Sequence, residues 1–508
     1  MSNDDQTAGA RVLTTAGVLR GRRVAIGDSV IHAFLGIPFA GPLVGAARFA
    51  VPTPAASWDG ERPAVAHGPT PPQSPYPPPT SELLPSVVVD GEDALNLSVW
   101  TPSPGTARLP VMVWIHGGAF VRGTHRLPVY DGAAFARDGV VVVGINYRVG
   151  ALGFLSLDGA PDNRGLRDQI AALQWVRDNI AAFGGDPDQV TVFGESAGAM
   201  SIAALLSSPK AHGLFHRAIV QSGNATSASD FRDAHLVAGE LCRMLNLSPT
   251  VAAVADLTAQ NLQLVQDELA LALQRDPDPH RWGASIIERG LAVMTMFPTI
   301  DGDVLPALPI DAIRAGAGNG VEVLAGTTRD EFRFFLVPSG FAAAVTVESL
   351  PAILARFGIT HEAAELYAHN RPDKTPGDVL CALLTDRVFR SGTADLVDIY
   401  AARQDGQAWQ YEFAWPTPVR DLGACHALEL PFVFDTLPYA PPLTGPTPPQ
   451  ALADEMHTAW VQFAITGNPG WHPVGDQRPI RTFGDATLGT GAVVINPRAE
   501  ELGMFVRH

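Results

Sequence analysis

Cysteine is scarce in this 508-residue chain: Cys242, Cys381 and Cys425 are its three, too scattered for a disulfide framework or a CxxC metal site. Reduced thiols are the expectation. Basic residues are in deficit, with 35 Lys and Arg against 52 Asp and Glu and a net charge of −17. Without a basic cluster to release counterions, nucleic acid is excluded as a partner, and an anionic membrane surface is disfavoured for the same reason. Long apolar runs are lacking too; none approaches the roughly 20 residues of a membrane span. The opening MSNDDQTAGARVL is acidic where a secretory leader needs a basic start and an apolar run, so the expected location is cytoplasmic.

What is present is a folding composition. Hydrophobic residues make up 46% and charged residues 17%, which excludes a disordered chain. With no internal repeat and no separating linker, the expectation is a single domain over residues 1–508, as monomer or homodimer.

The early part reads as short extended pieces, VLRGRRVAI and VIHAFLGI, followed by the proline-rich GPTPPQSPYPPP, which is loop. From about residue 110, apolar β-rich runs appear at VMVWI, VVVVGI, VTVF, AIVQ and VEVLAG, many of them separated by helical pattern. That alternation predicts an α/β fold with a mostly parallel central sheet flanked by helices, preceded by a small N-terminal β region. Apolar residues at Leu166, Ile170, Leu173, Val176 and Ile180 predict a helix over 164–182, capped by Asn163 and ended by Gly184-Gly185. Residues 228–320 and 340–405 are Ala/Leu-rich and read as mainly helical insertions forming a lobe over the core. WQYEFAW (409–415) reads as another core strand, and residues 455–466 as a closing helix stopped by GNPG.

The stretch GESAGA, residues 194–199, places Ser196 between the strand-like VTVF and a helical run. A GxSxG turn in that setting presents a serine hydroxyl at a tight elbow, facing the helix N-terminus. Acyl transfer also needs donors for an oxyanion, and VMVWIHGGAF offers them. Its Gly117-Gly118-Ala119 backbone is unobstructed by bulky side chains, and Ala197 N–H would complete the hole. A serine nucleophile needs a base, and the base an orienting acid. VEVLAGTTRDEF places Asp330 and Glu331 just beyond a strand, either of which could serve, and DLGACHALELPFVF places His426 in a loop after WQYEFAW. His116 reads as a brace for the glycine loop. His212, His216, His361, His369 and His457 read as structural or exposed, and His508 is terminal.

These residues resemble the type-B carboxylesterases, the group that includes para-nitrobenzyl esterases and cholinesterases. The resemblance spans FLGIPFAGPLVGAARF, EDALNLSVWTP, HGGAF, NRGLRDQIAALQWVRDNIAAFGGDPDQVTVFGESAGA, AGTTRDEF and GACHALELPFVF. It implies an α/β-hydrolase fold and hydrolysis of small-molecule carboxylic esters with no cofactor and no metal. It further implies Ser196 as nucleophile, His426 as base and Glu331, rather than Asp330, as acid, with an oxyanion hole at Gly118, Ala119 and Ala197 shaped by Gly117. HGGAF is similar to the GGGX-type hole, which implies room for bulky alcohol groups, including some tertiary ones; aryl and benzyl esters are expected substrates by the same family resemblance.

Two departures stand out. Ala94 replaces the cysteine of the family's EDCL, which in secreted relatives closes a disulfide; this fits a cytoplasmic enzyme. Phe332 follows Glu331 where the family usually has glycine, and its ring is expected to narrow the pocket. Phe120, Phe332, Phe334 and Phe335 are the candidate aromatic lining.

Other features have blander readings. Glu195 is expected to point away from the serine hydroxyl as a buried support, and Glu429 to tie down the histidine loop. Cys425 and His426, as chain neighbours, are expected to point apart. Gly27-Asp28-Ser29 is read as a hairpin turn. The alternatives of a different class are a non-catalytic binding scaffold of the neuroligin type, or an amidase or carbamate hydrolase using the same residues.

Overall fold

The computed structural model describes residues 9–290, 293–403 and 407–505; the acidic first eight residues, residues 291–292 and 404–405 of the helical stretches, and His508 lie outside them. Eleven strands form the main sheet: β1 (Arg22–Ile26), β2 (Ser29–Pro38), β3 (Asn96–Thr101), β4 (Gly105–Ile115), β5 (Val141–Ile145), β6 (Phe183–Glu195), β7 (Arg217–Gln221), β8 (Glu322–Thr328), β9 (Ala408–Phe413), β10 (Pro479–Phe483) and β11 (Val493–Ile495). Their spatial order is β11-β10-β9-β8-β7-β6-β4-β5-β3-β2-β1. The seven strands from β10 to β5 are mutually parallel. Antiparallel strands edge the sheet on both sides.

The parallel strands read as continuous apolar runs because both faces are covered. VVVGI in β5 and AWQYEF in β9 are buried at every position. Two apolar clusters, one on each face, carry most of the core. The hairpin from β1 to β2 turns at Gly27-Asp28, as the GDS reading expected. A separate three-stranded sheet of Arg11–Leu13, Val18–Arg20 and Glu61–Pro63 forms the small N-terminal β region.

Helix α1 (Arg164–Asn179) is shorter than the apolar pattern predicted, since the chain tightens into a 3₁₀ turn at Ile180–Ala182. Gly184 and Gly185 then lie inside β6 and do not end the helix. Asn163 stands at the N-cap position but makes no side-chain capping bond. It adopts a left-handed conformation, and its amide pairs in both directions with the Thr299 backbone, 136 residues away. That tertiary pairing satisfies the side chain more completely than a local cap would.

Helix α2 (Ala197–Ser207) follows the serine elbow. Residues 228–320 and 340–405 carry α3 (Phe231–Met244), α4 (Ala259–Arg275), α5 (Pro376–Thr385) and α6 (Ser391–Ala401) among shorter helices, with one two-residue strand pair, Ser229–Asp230 on Thr299–Ile300. The last long helix, α7 (Gln450–Thr466), starts five residues before the predicted 455 and ends at left-handed Gly467. Among the described residues, no helix is long and apolar enough to cross a membrane.

The chain passes from β4 to β5 on one side and then returns to β6 on the other. This reversal makes the carboxyl ends of β4 and β6 a topological switch point, the place where ligands bind in open α/β sheets.

Candidate active site

The loops bearing the predicted residues leave the carboxyl ends of neighbouring strands. Residues 116–120 follow β4, Ser196 follows β6, Ser222 follows β7, Glu331 follows β8, and His426 lies in the loop beyond β9. Ser196 has φ 54° and ψ −122°, a strained conformation for a residue bearing a side chain. A methyl group on Gly198 would come within 2.0 Å of Ile115 O, so the elbow depends on the absence of a side chain there. From Val190 to Ser208 every residue is buried except Ser196, which is partly open. Its amide donates to Gln221 O at 2.9 Å, tying the elbow to β7.

The loop after β4 packs directly on this elbow. A Cβ on Gly117 would lie 3.2 Å from the Ser196 Cβ and 2.7 Å from Glu195 O. Gly118, Ala119 and Phe120 all have positive φ, at 113°, 54° and 62°. Gly118 and Ala119 are partly open, whereas Ala197 is buried at the start of α2.

Anchors hold this strained turn at both ends and at its crest. His116 donates from Nδ1 to Gly117 O at 2.9 Å and stacks on Tyr147, whose hydroxyl donates to His116 O at 2.8 Å. Gly150 N donates to Phe120 O at 2.6 Å. Burial lowers the His116 pKa to about 4, so the brace is neutral.

Phe120 does not line the pocket. It is fully buried against Phe154, with ring centroids 5.1 Å apart, because its left-handed backbone turns the side chain into the core. Phe332 is partly buried and lies 5.1 Å from Phe335. Phe335 is 42% exposed, and its ring is 5.2 Å from that of His426. Phe334 is buried, 6.3 Å from the same imidazole. Phe389 was not anticipated: it projects from a π-helical turn, Asp386–Arg390, to within 4.8 Å of His426 and stacks nearly parallel to Phe335.

His426 and Glu331 are joined: Nδ1 donates to Glu331 Oε2 at 2.6 Å. The second oxygen of Glu331 accepts from the Ser222 hydroxyl at 2.6 Å and from Thr328 N at 2.8 Å. Asp330 takes another role, its carboxylate accepting from Ala424 N at 3.0 Å and so bracing the histidine loop. Sequence reasoning missed Ser222, although its place directly after the strand run AIVQ puts it at the carboxyl edge of the sheet.

Glu195 departs from expectation. Its side chain faces the site, with Oε1 3.0 Å from His426 Nε2, placing the imidazole between two carboxylates. Among the described residues, no hydrogen bond joins the Ser196 hydroxyl to His426. Burial alone would lower the His426 pKa, but Glu195 and Glu331 override it and hold it well above the ordinary value. Glu429 is fully buried and accepts from Gln221 Nε2 at 3.2 Å, while burial and the neighbouring carboxylates push its pKa up to about 8. Burial also raises the Cys425 thiol well above its usual range, so no thiolate forms beside His426. Among the described residues, no group of three or more His, Cys, Asp or Glu is placed to hold a metal ion.

The arrangement provides a serine at a strained elbow, a histidine oriented by a carboxylate, and backbone amides in a fixed turn. Comparison with known proteins points the same way. Residues 8–479 match the model of the carboxylesterase family. The chain is 37% identical over 467 residues to the para-nitrobenzyl esterase of Bacillus subtilis (strain 168), covering 88% of each protein. It is 35% identical to the phenmedipham hydrolase of Pseudarthrobacter oxydans, over 92% of this chain and 91% of that one. Among solved structures, a Geobacillus stearothermophilus carboxylesterase superposes with a TM-score of 0.83 at 35% identity, covering 98% of this chain and all of the other.

Proposed function

The chain belongs to the carboxylesterase family and is a carboxylic ester hydrolase of the α/β-hydrolase fold, and from that premise we propose that it works by two-step acyl transfer through Ser196, His426 and Glu331. The 2.6 Å bond from His426 Nδ1 to Glu331, at the edge of the cleft where Ser196 is the open residue of a buried run, is the observation that carries this reading.

His426 accepts the serine proton at Nε2 as Oγ attacks the ester carbonyl. The N–H groups of Gly118, Ala119 and Ala197 receive the oxyanion, each such donor contributing about 3 kcal/mol. The imidazolium then gives its proton to the departing alcohol, and a water deprotonated at the same nitrogen hydrolyses the acyl-enzyme. Glu195 stabilises the imidazolium that forms. Because Glu195 faces Nε2, the ring exchanges this partner for the Ser196 hydroxyl before attack.

Phe332, Phe334, Phe335 and Phe389 supply an aromatic wall beside His426, suited to aryl and benzyl esters with bulky alcohol groups. Phe389 belongs to the 340–405 stretch, which supports the helical segments acting as a lobe over the core within one domain. Three buried, unpaired cysteines support a cytoplasmic enzyme.

The test is a panel of p-nitrophenyl and p-nitrobenzyl esters of varied acyl length, with phenmedipham and a matched amide, run on wild type and Ser196→Ala. Wild type turns over the aryl and benzyl esters, and a fluorophosphonate labels Ser196 alone. Labelling at another residue, or full activity in Ser196→Ala, would overturn the assignment.

A further inference from the structure

The proline-rich segment that the sequence yields only as loop grips the glycine loop at its far end. Gln73, buried within this segment, pairs in both directions with one residue: its Oε1 accepts from Gly123 N at 2.7 Å and its Nε2 donates to Gly123 O at 2.8 Å. The same Nε2 donates to Pro71 O at 3.0 Å, which fixes the amide plane. Beside it, Arg122 Nη1 donates to Pro75 O at 3.1 Å, and its guanidinium lies 4.9 Å from the centre of the Tyr76 ring.

Gly123 is the floor of the turn. A Cβ there would come within 2.3 Å of both Gly117 O and His116 Nδ1, and the amides of Val121 and Arg122 both donate to Gly118 O. Any displacement of Gly123 is therefore transmitted to Gly117 and Gly118. Flanking prolines at 71, 72 and 75 restrict the unfolded segment, so holding Gln73 in place costs little conformational entropy.

We propose that Gln73 is a positioning residue for the loop whose amides receive the oxyanion, an assignment that rests on the acyl-transfer reading of Ser196. Gln73 touches no reacting atom; it fixes the end of a turn whose left-handed Ala119 and Phe120 store strain. Gln73→Met keeps the side-chain length and removes both bonds to Gly123.

The readouts are kcat per serine titrated with a fluorophosphonate, KM for a p-nitrobenzyl ester, and Ki for an aryl trifluoromethyl ketone. The ketone adds to Ser196 Oγ: the C–O bond forms, the carbonyl π pair moves to oxygen, and the serine proton passes to His426. It therefore reports oxyanion binding directly. In Gln73→Met, kcat/KM falls about tenfold or more through kcat, Ki rises in proportion, and KM stays within about twofold. A folded variant with kcat and Ki within about twofold of wild type overturns the proposal, as does a fall in kcat with Ki unchanged.

If Gln73→Met does not melt cooperatively, Arg122→Met supplies the decision, with a smaller loss in kcat and a matching rise in Ki as the supporting result. Wild-type values of both in that variant overturn the proposal. Failure of the acyl-transfer reading is separately visible, because the fluorophosphonate would then not titrate Ser196.

Discussion

On one side of Ser196 lie Glu331, His426, Glu195 and Glu429, all buried carboxyl or imidazole groups in mutual contact or electrostatic range. On the other side lie the HGGAF loop, Gln73 and three histidines whose protons burial has removed. The His116 and His67 pKa values are lowered to about 4, and that of His125 well below its ordinary value. Burial acts in the same direction on both sides, yet only on the first is the imidazole pKa raised, because two carboxylates face its ring nitrogens. The buried Arg390 adds a counter-charge there: it pairs with Asp386 and donates to Thr328 O and Arg329 O, just before the acid. The contrast teaches how the site divides its labour. In the proposed mechanism the charged side moves a proton, while the neutral side presents fixed dipoles that no titration near neutrality disturbs.

Each side can be broken separately. His426→Gln removes the proton carrier and lowers kcat/KM for a p-nitrophenyl ester by about 10⁴-fold; activity within about tenfold of wild type would remove the charged side from the mechanism. Gly118→Ala strikes the neutral side. Its Cβ would meet Arg122 O at 2.3 Å at a φ of 113°, so the turn must shift, with an expected loss in kcat of about 10²-fold or more and an unchanged far-ultraviolet circular dichroism spectrum.

Glu195→Gln tests which carboxylate holds the proton. If His426 is the base, as proposed, hydrolysis requires it neutral, so activity rises with pH through its pKa. Removing one of the two carboxylates lowers that pKa and moves the acid limb of kcat/KM to lower pH. A limb that stays in place would mean that Glu331 alone sets the proton affinity.

The smallest expected effect is on stability, where the two sides have opposite signs. His67 and His116 have folded pKa values near 4 against 6.5 when unfolded, so their contribution is present above pH 6.5 and is lost as pH falls through about 4. His426, with a raised folded pKa, contributes fully below 6.5 and loses that contribution as pH rises through its folded value. Melting temperatures of wild type and His67→Gln should converge as pH falls from 6.5 to 4; parallel curves would show that His67 does not titrate with unfolding.

The legible parts of this site were those written locally. GESAGA between a strand and a helix, HGGAF after VMVWI, and RDEF after VEVLAG each combine a strand signal with its own punctuation, and all lie at the carboxyl edge of the sheet. Tertiary partners overrode other local readings. Asn163 looked like a cap and instead pairs with Thr299. Phe120 looked like lining and instead turns into the core with the backbone of its loop. Glu195, Ser222, Phe389 and Gln73 act through atoms on other elements, and nothing in their own neighbourhoods announces those atoms. The choice between Asp330 and Glu331 likewise depends on a loop nearly a hundred residues away: Glu331 meets His426, and Asp330 meets Ala424.

The few cysteines acquire a practical meaning in this fold. Cys242, Cys381 and Cys425 are all buried, and burial raises each thiol pKa, that of Cys381 to about 12. Alkylating reagents act on the thiolate, so the native protein offers them no ready target. A cysteine placed at an exposed position, such as Leu264 on α4, would be the preferred point of attachment for a dye or a solid support. The folded enzyme is thus expected to react with such reagents as a cysteine-free carrier would, without any native thiol having to be replaced.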